Sequence, residues 1–317
     1  MPTEKRPGRL ERKKQRKSQV PSKYAPQMWP TWLVVGLAWC IAHLPTNWIG
    51  NLGKHFGNLM FHVAKPRTKV TQRNIQRCFP ELDAEQEEAL VRENFRQLGM
   101  GTLEIMLPWL NPKRDLSDRF QVEGVEHLNA AVAKGRGVII VGAHYASMDI
   151  ISAPLKELEV IDVMYRWNKN PVWEWLQVSG RQRYFKNVIE REDTRAALRC
   201  LKQGRALWYA ADQDYGAKHS VFAPFFGIQA ATIVATQRFA RLNNSPVLLM
   251  RQTRMANMTW QISFMPELTN FPSKDDQADA ARLNACLETE IRKYPSQYMW
   301  LHKRFKTRPP GEEDFYA

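Results

Sequence analysis

The sequence predicts an α/β domain with a mixed, mostly parallel sheet flanked by helices, preceded by an N-terminal membrane-associated helix. After residue 118, short β-branched or apolar stretches alternate with helical patterns, as in strand–helix–strand units. Residues 28–44 contain no Asp, Glu, Lys or Arg, and such a segment favours a membrane or its surface. The 317 residues are enough for one large domain.

The chain is basic, with a net charge of +14 and a pI near 9.7. Residues 1–23 hold nine Lys or Arg against two Glu, which is half of the excess. We therefore predict a basic disordered tail over residues 1–27 that contacts anionic headgroups. The remaining excess implies partners with negative charge: anionic lipid, an acidic carrier protein or nucleic acid. The four cysteines are far apart and predict reduced thiols in a cytoplasmic body.

Residues 28–65 are predicted to form a hydrophobic membrane anchor and an interfacial helix. The uncharged stretch 28–44 lies at the short limit for a spanning helix. A spanning helix with the rest of the protein in the cytoplasm would place the basic tail on the opposite side of the membrane, against the positive-inside rule. An uncleaved anchor that lies in or dips into the inner leaflet is therefore favoured over a single span or a secretory signal peptide.

The predicted catalytic domain covers residues 66–317. Residues 67–79 form a basic amphipathic segment, and Asp83 is expected to cap a helix over residues 84–110. Strands are predicted near residues 119–124, 137–142, 160–164, 206–211, 246–251 and 259–265. Helices are predicted near residues 126–134, 148–158, 171–181, 193–203, 230–242 and 276–293.

The strongest chemical signal lies in residues 138–151. Four β-branched residues predict a buried strand, which Gly142 ends. His144 follows at the carboxyl end of this strand, where open α/β sheets bind their ligands. Asp149 is expected in the first turn of the next helix, where it would hydrogen-bond one imidazole nitrogen and leave the other free to take a proton. A chance spacing of a histidine and an acid is the alternative.

Further candidates follow two other predicted strands. Arg166 could bind a phosphate or carboxylate at two points, or could be a surface arginine. Asp212 and Asp214 are expected to hydrogen-bond a loop or an arginine, since no cluster of further ligands supports a metal site. The phenylalanines that follow could line an acyl-chain channel or lie in the core. Residues 297–308 mix aromatics with cations, as a nucleic-acid platform or a membrane-apposed edge would.

Together these motifs resemble the lipid A biosynthesis lauroyl/myristoyl acyltransferases, within the lysophospholipid acyltransferase superfamily. The similarity runs from about residue 28 onward. It rests on the H-x4-D/E box of His144 and Asp149, on Tyr165-Arg166 with Asn170-Pro171 and Trp175-Leu176, on Asp212-Gln-Asp-Tyr-Gly with Ser220-Val-Phe-Ala-Pro-Phe-Phe, and on the ending Pro295-x-Gln-Tyr-Met-Trp-Leu-His-Lys-Arg-Phe-Lys-Thr-Arg-Pro. The box carries Asp149 where many lauroyl-type members have Glu.

The resemblance implies a single glycerolipid-acyltransferase-like domain and an O-acyltransferase that needs no cofactor or metal. The acyl chain would pass from an acyl carrier protein thioester to a hydroxyl of a hydroxyacyl chain on a Kdo-bearing lipid A precursor, at the cytoplasmic side of the bacterial inner membrane. His144 would be the general base and Asp149 its partner, without an acyl-enzyme. Arg166 would bind an acceptor phosphate or help to stabilise the oxyanion.

The resemblance also implies a set of substrate-binding residues that comes from the later motifs. They are Tyr165, Arg166, Asn170, Asp212, Asp214, Tyr215, Gly216, Phe222, Pro224 and Phe225. A glycerophospholipid acyltransferase of the lysophosphatidic acid type is the first alternative. A non-enzymatic basic protein that binds membranes or nucleic acid is the second, although nucleic acid is not an expected partner.

Overall fold

The computed structural model describes residues 19–317, and the predicted disorder of residues 1–18 lies outside this part of the chain. The described chain begins with the helices α1 Trp29–Ala42, α2 Thr46–Val63, α3 Lys65–Cys78, α4 Ala84–Glu104 and α5 Met106–Leu110. Asp83 caps α4 as predicted. Its carboxylate accepts the Gln86 N–H at 2.9 Å, and the Gln86 side chain accepts the Asp83 N–H at 3.1 Å.

The strands are β1 Phe120–Glu123, β2 Val138–Gly142, β3 Ile161–Tyr165, β4 Val188–Glu190, β5 Ala206–Ala210, β6 Ser220–Phe225, β7 Ile228–Ile233, β8 Val247–Arg254 and β9 Trp260–Phe264. Seven of them form one sheet in the order β1-β9-β8-β2-β5-β3-β4, while β6 and β7 pair as a separate antiparallel hairpin. Neighbours in the large sheet run parallel except β8 and β9. The predicted mixed, mostly parallel sheet is therefore confirmed.

Helices cover both faces of this sheet. They are α6 Val125–Val132, α7 Ser152–Leu155, α8 Pro171–Arg181, α9 Thr194–Lys202, α10 Ala235–Asn243 and α11 Asp276–Lys293. The central strand β2 shows the layering, because every residue in it is buried. Ile139 and Val141 pack in the core that holds α9, α10 and α11. Val138 and Ile140 pack in the core on the other face, with α6 and α7.

Some predicted elements differ from the structure. The helix expected over residues 148–158 is α-helical only at Ser152–Leu155, so Asp149 precedes that helix instead of lying in its first turn. The helix expected over residues 230–242 begins at Ala235, because residues 228–233 pair with β6. The strands β4, β6 and β7 were not predicted. β4 has only three residues, and Pro224 within β6 argues against a strand in the sequence.

The predicted N-terminal membrane helix is not supported as a span. α1 is 14 residues long, and the chain turns at Pro45 into α2. Between residues 19 and 317, no helix combines the length and the apolar composition needed to cross a membrane.

Candidate active site

His144 lies just beyond the carboxyl end of β2, in the middle of the sheet. Gly142 ends the strand against the indole of Trp208, and a Cβ at this position would lie 2.9 Å from the indole Nε1. Glycine is therefore needed for the chain to pass Trp208 and enter the loop that carries the histidine. The His144 side chain is 18% exposed, so it can meet a substrate while protein groups hold it.

The partner of His144 is Asp212. β2 and β5 are parallel neighbours with Gly142 opposite Ala210. His144 and Asp212, each two residues further along the chain, therefore lie side by side at the carboxyl edge of the sheet. There, His144 Nδ1 lies 2.6 Å from Asp212 Oδ1, and the His144 backbone N–H donates to Asp212 Oδ2 at 3.0 Å. One buried carboxylate thus holds both the ring and the backbone of His144.

The Asp212 carboxyl is stabilised as an anion. Burial alone would raise its pKa, but the charge of His144 and hydrogen bonds from the His144 ring, the His144 backbone and Tyr298 outweigh burial and lower the pKa from 3.8 to about 2. Burial of Tyr298 and the charge of Asp212 raise the pKa of the Tyr298 hydroxyl, so this hydroxyl stays protonated and can donate a hydrogen bond. An ionised Asp212 keeps the proton of neutral His144 on Nδ1 and leaves Nε2 as the basic atom.

Asp149 is bound to a different residue from the one expected. Arg181 donates from Nε to Asp149 Oδ1 at 2.7 Å and from Nη2 to Oδ2 at 3.0 Å. The expected hydrogen bond between His144 and the Asp149 carboxylate is not found: Nδ1 of His144 is bonded to Asp212, and both Asp149 oxygens accept from Arg181. Both partners are largely buried, so this two-point ion pair ties the loop after His144 to the end of α8.

The C-terminal segment holds the His144 loop from the other side. The Met299 N–H donates to the His144 carbonyl at 2.9 Å, and the Ala146 N–H donates to the Gln297 carbonyl at 2.8 Å. An isolated antiparallel bridge joins Tyr145 to Tyr298. The aromatic and basic ending of the chain therefore forms one wall of the site, a position that none of its sequence-based interpretations included.

The loop after β5 is fixed by Asp214. Its carboxylate accepts the Gly216 N–H at 2.7 Å, the Thr307 N–H at 2.8 Å and the Thr307 hydroxyl at 2.9 Å. Gly216 has a φ of +87°, which suits glycine at this turn. The carboxylate of Asp214 is thus engaged in shaping the loop. Tyr215, between the two, is 38% exposed and lies against Arg191.

Tyr165 and Asn170 hold α8 in place. The Tyr165 hydroxyl donates to Glu174 at 2.8 Å, and the Asn170 side chain accepts the N–H groups of Val172 and Trp173 as a helix cap. The Asn170 amide also donates to Thr31 of α1 at 3.0 Å. These contacts are structural, and a role of either residue in substrate binding stays a prediction.

The remaining predicted residues lie at different depths. Phe225 is fully buried beside Tyr298 and Phe305, with the Arg304 guanidinium over its ring. Phe222 is half-buried and Pro224 is exposed on the hairpin. The structure thus places Phe225 in the core, and a role of these three residues beside an acyl chain stays a prediction.

Sequence reasoning missed two partners at the site. It expected Asp212 to hydrogen-bond a loop or an arginine instead of His144, and it assigned no partner to Arg181. The usable signal was that Asp212 follows the end of a predicted strand, as His144 does. Within residues 19–317, no group of three His, Cys, Asp or Glu side chains is arranged to hold a metal ion.

Comparison with known proteins identifies the family. A family model described as bacterial lipid A biosynthesis acyltransferase matches residues 16–307. The palmitoleoyltransferase and the lauroyltransferase of lipid A biosynthesis in Escherichia coli K12 are each 36% identical over 293 residues, which is 92% of this chain and 95% and 96% of theirs. The lipid A biosynthesis myristoyltransferase of the same organism is 25% identical over 292 residues, 90% of each chain.

Proposed function

The chain belongs to the bacterial lipid A biosynthesis acyltransferases, and we propose that it moves a fatty acyl chain from an acyl carrier protein thioester to a hydroxyl of a hydroxyacyl chain on a Kdo-bearing lipid A precursor. The enzyme is an O-acyltransferase. The observation that carries the finer proposal is the His144–Asp212 pair, whose 2.6 Å contact leaves Nε2 as the proton acceptor at the rim of the sheet.

In the proposed reaction, His144 Nε2 takes the proton of the acceptor hydroxyl as the hydroxyl oxygen bonds to the thioester carbonyl carbon. The tetrahedral intermediate then collapses, the C–S bond breaks, and the leaving thiolate takes the proton from the imidazolium. Asp212, already ionised, stabilises the imidazolium between these two steps without moving.

Direct transfer without an acyl-enzyme is supported by the surroundings of the base. Among the described residues, no Ser or Cys side chain hydrogen-bonds His144. The nearby Ser147 hydroxyl is buried and donates to Glu104 at 3.1 Å. Activation of a hydroxyl on the acceptor is therefore the chemistry that this histidine suits.

Asp149 takes a positioning role in this proposal. Its ion pair with Arg181 anchors the turn that follows His144. The pair acts on the catalytic base through the backbone of that turn, because neither Asp149 oxygen is bonded to the imidazole.

We further propose that α1 and α2 bind the surface of the inner membrane, with the catalytic domain on the cytoplasmic side. On α1, Trp29, Leu33 and Leu37 are 63%, 77% and 64% exposed at helical spacing. On α2, Trp48, Leu52, Phe56, Leu59 and Val63 are exposed. Apolar faces of this size suit the headgroup–acyl boundary of a bilayer.

Helix α4 connects the proposed membrane face to the catalytic loop. A Cβ on Gly99 would lie 2.4 Å from the Gly57 nitrogen of α2, and a Cβ on Gly101 would lie 2.1 Å from the Ala146 carbonyl oxygen. Because α4 touches both, a single helix separates α2 from the loop after His144.

The test is acyl transfer by the purified full-length protein in detergent. Acyl carrier protein thioesters of different chain length are offered with the Kdo-bearing precursor or with lysophosphatidic acid, and products are read by mass spectrometry. We expect one added acyl chain on the lipid A precursor, and a His144→Ala variant at least about 10²-fold slower. Acylation of lysophosphatidic acid alone would instead favour the glycerophospholipid activity.

A further inference from the structure

We infer that Ser147 and Glu104 are positioning residues for the base: a buried carboxylate on α4 holds the loop that carries His144 through the Ser147 hydroxyl. This inference rests on the proposed function, in which His144 takes the proton of the acceptor. The Ser147 hydroxyl donates to Glu104 Oε2 at 3.1 Å. Both residues are only 1% exposed, so the contact lies beneath the surface of the loop and is closed to a substrate.

Arg254, the last residue of β8, fixes the carboxylate of Glu104. Its Nη2 donates to Glu104 Oε2 at 2.8 Å and its Nε donates to Oε1. The side chains in this two-point ion pair are 4% and 1% exposed. The remaining Nη1 donates to the Gln97 side chain on α4. Because all three nitrogens of the guanidinium are held, the oxygen that Glu104 presents to Ser147 has a fixed place.

The backbone of Arg254 is tied to the C-terminal segment. Its N–H donates to Gln297 Oε1 at 2.7 Å, and Gln297 Nε2 donates to the Arg254 carbonyl at 2.7 Å. The carbonyl of the same Gln297 accepts the Ala146 N–H. Arg254 is therefore connected to two successive residues of the loop, to Ala146 through Gln297 and to Ser147 through Glu104.

Folding free energy alone does not account for this buried ion pair. Taking two charges out of water is costly, and apolar side chains of similar volume often give an equally stable core. A buried polar network whose members are hydrogen-bonded does, however, fix one arrangement of its neighbours. Here the neighbour is Ser147, which lies three residues after His144 and two before Asp149, in the stretch between β2 and α7.

The Ser147 hydroxyl is the part of this network that can be removed alone. Its loss leaves both the Glu104–Arg254 and the Asp149–Arg181 ion pairs in place. The loop would then lose one anchor while the surrounding charges stay paired. A displacement of about 1 Å of a catalytic group can cost about 10²-fold in rate, so a small movement of the loop is measurable.

The experiment compares Ser147→Ala in the full-length enzyme with the matched control Ser245→Ala. Ser245 is also buried, and its hydroxyl donates to the Arg136 carbonyl at 2.8 Å, beside the amino ends of β2 and β8. We expect kcat of Ser147→Ala to fall roughly ten- to a hundredfold. KM for donor and acceptor should stay within about threefold of wild type, because the hydroxyl contacts neither.

The control should keep both kcat and KM within about threefold of wild type. If His144→Ala is inactive and Ser147→Ala nevertheless keeps kcat within about threefold of wild type, the inference is wrong.

A second comparison separates positioning from stability. Glu104→Gln removes the charge that holds Ser147. Asp162→Asn removes the charge of another buried carboxylate, which Arg205 binds at two points. Both variants should lose stability in urea unfolding, because each leaves a largely buried guanidinium without its acid.

Only Glu104→Gln should lose kcat per folded molecule, and equal losses in Glu104→Gln and Asp162→Asn would count against a positioning role. If Glu104→Gln does not fold, Ser147→Ala decides the question, since it keeps the ion pair.

A signal from the imidazole separates this inference from the proposed function. In protein with nitrogen-15 histidine, the ring shifts of His144 report which nitrogen carries the proton, and His144→Ala assigns them. We expect Ser147→Ala to move these shifts and Ser245→Ala to leave them as in wild type. Shifts that Ser147→Ala leaves unchanged would overturn the anchoring. If His144→Ala keeps the rate while Ser147→Ala moves the shifts, His144 is not the base, but the anchoring of its loop stands.

Discussion

A single carboxylate, Asp212, decides which nitrogen of His144 is basic. It accepts from the ring and from the backbone of the histidine. Its removal would therefore leave neither the tautomer of His144 nor the conformation of the His144 loop fixed. The Asp212→Asn variant keeps the shape but loses the charge that stabilises the imidazolium. We expect kcat to fall roughly 10²–10⁴-fold, as for comparable orienting acids. The measurement is the single-turnover rate of acyl transfer.

Asp149→Asn is the matched comparison, because it makes the same chemical change five residues from the histidine. Breaking a buried ion pair costs about 3–5 kcal/mol of folding free energy, so this variant should lose stability in urea unfolding. Its rate per folded molecule should fall less than that of Asp212→Asn. A larger loss of rate in Asp149→Asn than in Asp212→Asn would return the role of direct partner to Asp149.

His302 makes the folded protein sensitive to mild acid. Burial lowers the pKa of its imidazole from 6.5 to about 4, opposed by Asp212 and reinforced by His144, Lys306 and Arg304. Between these two values the unfolded chain binds a proton at His302 that the folded protein does not, so the free energy of unfolding falls as the pH drops through this window.

The His302→Gln variant removes this contribution. Its free energy of unfolding should fall less between pH 7 and pH 4.5 than that of wild type, by on the order of 1–2 kcal/mol after allowance for solvent. Urea unfolding at both pH values measures the difference, with the exposed His219→Gln as control. Parallel pH slopes for wild type and His302→Gln would exclude the effect.

The elements that the sequence could predict are those whose signal is local. Each of the six predicted strands begins within one residue of an observed strand, because buried β-branched runs and their flanking glycines are visible in the chain itself. The Asp83 cap was likewise visible. The hairpin β6–β7 was missed because Pro224 disfavours a strand locally. The pairing of β6 with β7 overrides this preference, and a local pattern does not show such a pairing.

The proposed catalytic pair depends on strand order, which is why the sequence suggested only one of its members. His144 was predicted as a site residue from its position at the end of a strand. Its partner follows β5, 68 residues away, and nothing in either strand states that β5 lies beside β2. The box spacing instead suggested Asp149, which is close in sequence but bound to Arg181 on α8.

The contact between α2 and α4 is an element-scale feature that can be tested directly. A Cβ on Gly57 would lie 2.2 Å from the Phe95 carbonyl oxygen, so Gly57→Ala must push the two helices apart. We expect a loss of about 2–3 kcal/mol in the free energy of unfolding. Gly36→Ala on α1 is the control: a Cβ there meets nothing within 4 Å, and alanine favours a helix by up to about 1 kcal/mol. Equal behaviour of the two variants would contradict close helix packing at Gly57.

The molecule as a whole combines a net charge of +14 with two helices that expose apolar faces. A basic protein is drawn to anionic lipid over a range set by salt, whereas insertion of apolar side chains into the interface depends little on salt. The two contributions can therefore be separated. Neither accounts for acyl transfer, but both would bring the His144 loop to a substrate that stays in a leaflet.

The last prediction concerns this membrane face. Burying a leucine that was exposed contributes about 1.5–3 kcal/mol, so Leu33→Ser and Leu37→Ser should each weaken binding to vesicles of anionic and zwitterionic lipid by roughly tenfold or more. Leu242→Ser is the matched control, because Leu242 is 68% exposed on α10, which packs on β2 and α9. Vesicle sedimentation at low and high salt measures the partition. If all three variants bind vesicles as wild type does at high salt, α1 does not enter the interface and charge alone would have to hold the enzyme at the membrane.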